Sequence, residues 1–216
     1  MGRRLLATYN LFAYAFLLAP IAVVVVLSFT SGSTLSFPPP GFSLRWFRYL
    51  AGRDEFMTAT MISAQVAALA SLAAVALGLP ASIALVRVRL RSTAWIEHAL
   101  MSPAILPGII TGVALLQYFT MIGLVRSFPR LVIAHTVICL PYAIRSISAC
   151  LRGIDPSLEE ASETLGASPA RTFRRVLLPL LRPGVAAALI FTFVTSFDNV
   201  VVSIYLIGGD TVTLPI

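Results

Sequence analysis

The residues of this chain that could do chemistry are few, and most lie between Leu151 and Arg182. There Glu159, Glu160 and Glu163 are followed by Arg171, Arg174 and Arg175, with small and apolar residues between them. Carboxylates and guanidiniums set among apolar positions on short helices suit docking into a cleft on a soluble partner better than bond-making. An ordinary solvated loop would carry the same charges. A second group is Thr195, Ser196, Asp198 and Asn199, within one helical turn, where Asp198 follows fifteen uncharged residues. An ionised carboxylate in such a stretch costs roughly several kcal/mol unless it meets water or a partner. Asp198 therefore lines a wet path and attracts a cation, or it pairs with an arginine or caps an outer helix end.

The residue types that are absent narrow the chemistry. All 16 basic residues are arginine. Without lysine there is no P-loop to reach the β- and γ-phosphates of a nucleotide, and no Schiff base. His98 and His135 stand too far apart for a ligand pair, and no Cys/His/carboxylate cluster suggests a metal. Neither Gly-x-Ser-x-Gly nor His-Glu-x-x-His occurs, so no catalytic residue is expected. Cys139 and Cys150 are eleven residues apart, about 16 Å along a helix, too far for a disulfide. They read as packing residues. Gln65, Gln117, Tyr118 and His135, the other polar residues of the apolar runs, are expected to bond between helices. Glu97 and His98 border a run and read as interfacial.

The elements that position these residues are set by hydropathy. The chain is 58% hydrophobic and 12% charged, with a mean hydropathy of +0.90. A soluble domain carries about twice that share of charge. The class is an all-α, polytopic membrane bundle. Apolar runs of spanning length cover about 11–29, 58–86, 99–123, 131–150 and 183–207, five in all. The first follows Arg3 and Arg4; it is longer than a signal-peptide core, contains Pro20 and is followed by more spans, so it reads as retained. Pro103 and Pro107 predict a kink in the third, and Arg145, near one end of the fourth, can snorkel. Between the first two runs, Phe42, Trp46 and Tyr49 share a helical face beside Arg45 and Arg48. They form either a short interfacial helix or a loop whose aromatics pack on the bundle.

Arginine bias orients the bundle. With the N-terminus inside, the inner segments hold eleven arginines, including Arg87, Arg89, Arg91, Arg145 and Arg152. The outer ones hold five. That bias favours a cytoplasmic N-terminus and a cytoplasmic 151–182 loop. Because the arginines lie between apolar spans, the net charge of +7 reflects topology, and no nucleic-acid partner is expected. Within the loop, Asp155-Pro156 opens a helix, with a Ser157/Glu160 capping box as the alternative. Gly166 would end that helix. Ser168-Pro169 opens a second helix, which Pro179 and Pro183 are expected to terminate.

Glu160-Ala161-Ser162, then Gly166, then Val176, Leu178 and Pro179 resemble the Glu-Ala-Ala loop of ABC importer permeases. Ser162 stands where that pattern has a second alanine, a small-for-small change expected to be neutral. His135 to Asp155 is similar to the helix preceding that loop. Ala19-Pro20, Ser28-Phe29-Thr30, Phe37-Pro38, Ser43–Trp46 and Ser196–Val201 resemble the spermidine/putrescine branch. The resemblance implies a bacterial inner-membrane permease subunit, whose loop docks on cytoplasmic ATPase subunits and whose partners are a second permease, an extracytoplasmic binding protein and membrane lipid. ATP and Mg would then belong to the ATPase, with no cofactor on this chain. Ferric ion or an organophosphonate would suit the same machinery as well as a polyamine. The family has six spans, so the resemblance also implies a last span missing after Leu214-Pro215-Ile216, and a non-transporting scaffold as the rival reading.

Overall fold

The computed structural model describes residues 2–88, 93–208, 211, 213 and 214, and its regular structure there is helical throughout. Arg89, Arg91 and the Pro215-Ile216 end, where a sixth span is expected to begin, lie outside the described residues. The chain divides into two compact units, residues 1–58 and 59–216.

In the first unit, α1 (Gly2–Ser28) spans the first apolar run, with Pro20 inside it. Its large apolar side chains are exposed, Phe16 at 80% and Leu17 at 64%. A helix apolar on all sides is one made to be surrounded by hydrocarbon or protein. The connection that follows folds back on itself. Thr30 bridges Phe42, and the Gly32 carbonyl accepts from both Arg45 Nη2 at 3.1 Å and Trp46 Nε1 at 3.2 Å. The short helix α2 (Arg45–Ala51) carries Trp46 and Tyr49 edge to face, but Phe42 lies outside it. The shared aromatic face therefore reduces to two residues.

In the second unit, α3 (Asp54–Arg87) buries Ser63, Ala67, Ala70, Ala74, Gly78 and Ser82. These small residues recur every three or four positions, the stripe that lets membrane helices approach closely when burial from water supplies no driving force. Ser82 Oγ uses that closeness to donate to the Ile144 carbonyl at 3.2 Å. The third run is two helices, α4 (Thr93–Ile105) and α5 (Gly108–Met121), bent by 103°. Pro103 is absorbed inside α4. Pro107, which has no N–H and forces Leu106 out of the helical region, makes the break. The central helix α6 (Ser127–Arg152) packs along the last span through Leu131, Ile147, Leu151 and Leu181, all at 0% exposure.

The loop and the last span differ from expectation in two places. The first loop helix is α7 (Ser157–Thr164), but the second does not end at Pro179. Instead α8 (Pro169–Thr172) passes through a π-helical turn at Phe173–Leu177 into α9 (Leu178–Phe197). Pro179 sits in the first turn of α9, where a missing N–H is harmless, and Pro183 is carried within it. The run expected as one span over 183–207 is also broken. The last span is Pro169–Phe197, and a separate short helix, α10 (Val200–Leu206), follows Asp198-Asn199. Among the described residues, four helices are long and apolar enough to cross a membrane, five if the bent α4–α5 pair is one span.

Candidate functional site

At the loop, the chain turns out of α6 and is caught by Asp155. Its Oδ1 accepts from the Ser157 N–H at 2.9 Å. That backbone bond first, and the Ser157 hydroxyl second, hold the Asp155 carboxyl below the usual carboxylate range. Asp155 thus does the capping, and no Ser157/Glu160 box forms among the described residues. At the other end the Gly166 N–H donates to Glu163 O at 2.9 Å and the Ala167 N–H to Ser162 O at 3.1 Å, with Gly166 at φ +83°. That left-handed turn costs any residue with a Cβ about 1 kcal/mol. The sequence pattern needs glycine here for that reason.

The seven motif residues sort into three environments. Glu160, Ala161 and Gly166 lie on the free surface, together with Leu165 at 88% exposure and Leu158 at 47%. Ser162 turns inward and its Oγ meets Thr172 Oγ1 at 3.0 Å, tying α7 to α8. A second alanine could not make that bond, so the exchange is not chemically neutral. Val176, Leu178 and Pro179 are half-buried at the root of α9 beside buried Leu177. The arrangement is a knob with a small, acidic and apolar tip on a packed base.

The sequence reading missed Arg87, which it used only for the charge tally. At the end of α3, its Nε reaches Glu159 Oε1 at 2.9 Å and its Nη2 the Ile154 carbonyl at 3.0 Å. It thereby joins α3, the α6–α7 connection and the knob. A glutamate and an arginine 72 positions apart carry no local signal.

At the second candidate, Asp198 ends α9 and Asn199 caps α10, its Oδ1 accepting from the Val202 N–H at 2.9 Å. Ser196 is not on a path. It is 3% exposed, with its Oγ 2.7 Å from His135 Nδ1, while His135 Nε2 lies 3.0 Å from Ser203 Oγ. Ser203 gives its hydroxyl proton to the Asn199 carbonyl, so it must accept from Nε2–H. Nδ1 then accepts from Ser196, which defines a neutral imidazole with its proton on Nε2. His135 is the interhelical bond the sequence suggested. Gln65 and Gln117 are exposed and make no such bond among the described residues, and Tyr118 has only a ring contact with Phe119.

Asp198 itself is exposed, Thr195 and Asn199 half-exposed. No ion pair reaches Asp198 among the described residues; the one that forms there is Arg87–Glu159. The break it sits in lies close to the break at Pro107: a Cβ on Gly108 would stand 3.1 Å from Val201 Cγ1, and one on Gly112 would stand 2.7 Å from Tyr205 Cδ2. Two interrupted helices thus meet beside an unpaired carboxylate. Among the described residues no His, Cys, Asp and Glu group could hold a metal.

A family model described as binding-protein-dependent transport system inner membrane component matches residues 1–216. The spermidine/putrescine transport system permease protein PotC of Escherichia coli (strain K12) is 32% identical over 216 residues, covering all of this chain and 81% of that protein. The putrescine transport system permease protein PotI of the same strain is 34% identical over 212 residues, 95% of this chain and 75% of that protein. In fold, a bacterial ABC transporter involved in the import of the acidic polysaccharide alginate superposes with a TM-score of 0.72 at 15% identity, over 99% of this chain and 76% of that one.

Proposed function

The chain belongs to the family of binding-protein-dependent transport system inner membrane components and is a multi-pass permease subunit of an ABC importer; we propose that its cargo is a polyamine, drawn through the bundle past Asp198. The observation that carries this is the exposed, unpaired Asp198 carboxylate at the meeting of two broken helices. Discontinuous membrane helices free backbone groups for a solute, and an intramembrane carboxylate marks a cation path. Similarity along nearly the whole of this chain to two permeases named for putrescine points to the same cargo.

The knob at 155–179 supplies the drive. Glu160, Ala161, Leu165 and Gly166 form the surface that enters a groove on a cytoplasmic ATPase subunit, and Ser162, Val176, Leu178 and Pro179 hold that surface to α9. A second permease completes the path, and an extracytoplasmic binding protein delivers the solute. ATP and Mg stay on the ATPase, and this chain binds no cofactor. The loop and the N-terminus face the cytoplasm. Closure of the ATPase pair moves the knob and biases a two-state bundle.

The test is ATP-dependent uptake of labelled putrescine and spermidine by the full complex in proteoliposomes. Asp198→Asn should abolish uptake while ATP hydrolysis stays responsive to the binding protein, and Glu160→Ala should remove that response. Unchanged uptake with Asp198→Asn would sink the path, and uptake of neither amine by the intact complex would overturn the cargo.

A further inference from the structure

Between α4 and α6, at the end of the bundle that carries the loop, lies a cavity of about 690 Å³ that the transport reading does not use. Its polar wall consists of Glu97 and His98 from α4 and Arg145, Ser148 and Arg152 from α6, and Ile105 belongs to its apolar wall. Arg145, Ser148 and Arg152 are spaced by three and four residues, so they stand in one row on α6. Ser148 is 5% exposed, and its Oγ has no hydrogen-bond partner. Such an orphan costs about 1–3 kcal/mol. Neither guanidinium has an ion-pair partner among the described residues, where the ion pair formed is Arg87–Glu159. A buried hydroxyl left open between two exposed, unpaired guanidiniums, beside an apolar wall, describes a site without its occupant.

The charge decides the class. Two guanidiniums face one carboxylate, so a polyamine is repelled and an anion is favoured. Guanidinium forks fit phosphate oxygens two at a time, and a hydroxyl between them adds a third donor. A free phosphate would use the donors and leave the apolar wall idle, whereas a lipid uses both. Basic pockets between membrane helices near one surface hold anionic headgroups in this way. We propose that this cavity binds the phosphodiester headgroup of an anionic glycerophospholipid, with Arg145, Ser148 and Arg152 on the phosphate and the acyl chain along the Ile105 side. Glu97 limits the site to one net positive charge, matched to a monoanionic headgroup. The proposal stands on the span assignment alone and survives a change of cargo.

The test uses the full complex in phosphatidylcholine bilayers with trace spin-labelled phosphatidylglycerol, reading the immobilised fraction by electron paramagnetic resonance. Labelled phosphatidylglycerol should be held in preference to labelled phosphatidylcholine. The preference should fall roughly fivefold for each arginine removed in Arg145→Gln and Arg152→Gln and rise in Glu97→Gln. The Glu97→Gln gain keeps the test decisive if an arginine variant fails to assemble, and ATP hydrolysis reports assembly. Equal retention of both lipids by the wild type, or no change in any variant, overturns the proposal. Displacement of the label by millimolar inorganic phosphate would assign the site to soluble phosphate and overturn the lipid.

Discussion

At the His135 junction, α6, α9 and α10 are joined by neutral hydrogen bonds among side chains no more than 3% exposed. At the Arg87 junction, α3, the α6–α7 connection and α7 are joined by an ion pair whose side chains are 19% and 23% exposed. The first is saturated: each hydroxyl and ring nitrogen has its partner, and no rearrangement keeps all the bonds. The second is adjustable, because solvent and salt compete for both charges. The broken end of the last span is thus fixed to its neighbour by bonds with one solution. The knob is held by a contact that can yield and re-form.

Breaking the buried junction should have the largest effect. His135→Leu leaves the Ser196 hydroxyl without its acceptor and the Ser203 oxygen without its donor, at a cost of about 2 kcal/mol. The complex should unfold at a lower temperature, with a loss independent of salt; a loss that fades at high salt would contradict the neutral tautomer. The Arg87 junction should show the opposite pattern. Arg87→Gln should lower stability by less than about 1 kcal/mol yet reduce solute moved per ATP hydrolysed. The exchanged pair Arg87→Glu with Glu159→Arg should recover part of that yield. A structural contact without a role in coupling would leave the yield unchanged in both.

The smallest effect lies at Asp155. Its carboxyl titrates lower in the folded loop than in an unfolded chain, so its stabilising contribution is complete above the ordinary carboxylate range. It is lost as pH falls through the folded value. Amide protection at the first turn of α7, corrected for the intrinsic pH dependence of exchange, should fall on acidification, and Asp155→Asn should flatten that dependence. A steady protection factor in the unmodified chain would remove Asp155 as the cap.

The long elements and the loop's motif were legible because they are written in local patterns. An apolar run marks a span, Gly166 marks a left-handed turn, and Asp155-Pro156 marks a helix start. The missed features are those that only three-dimensional closure creates. Nothing near Arg87 announces Glu159, and Ser162 looks interchangeable with alanine until Thr172 arrives beside it. Ser196 reads as a path residue beside Asp198, because a helical turn places both within reach of one solute. The side on which His135 stands decides otherwise. Pro179 and Pro183 read as stop signals by a rule for water-soluble helices, whereas a packed membrane helix carries them.

The π-helical turn at Phe173–Leu177 gives the chain a phase relation as well as a connection. Its wider hydrogen bond, from the Leu178 N–H back to the Phe173 carbonyl, accommodates one residue more than an α-helix would. Because the turn takes up that residue, the helix before it keeps its phase on α9; the same residues wound as regular α-helix would rotate everything before the turn by about 100°. Ser162 and Thr172 would turn together, and the tip that carries Glu160 and Leu165 would face a different direction at unchanged composition. The winding of this one turn therefore sets the heading of the knob on α9.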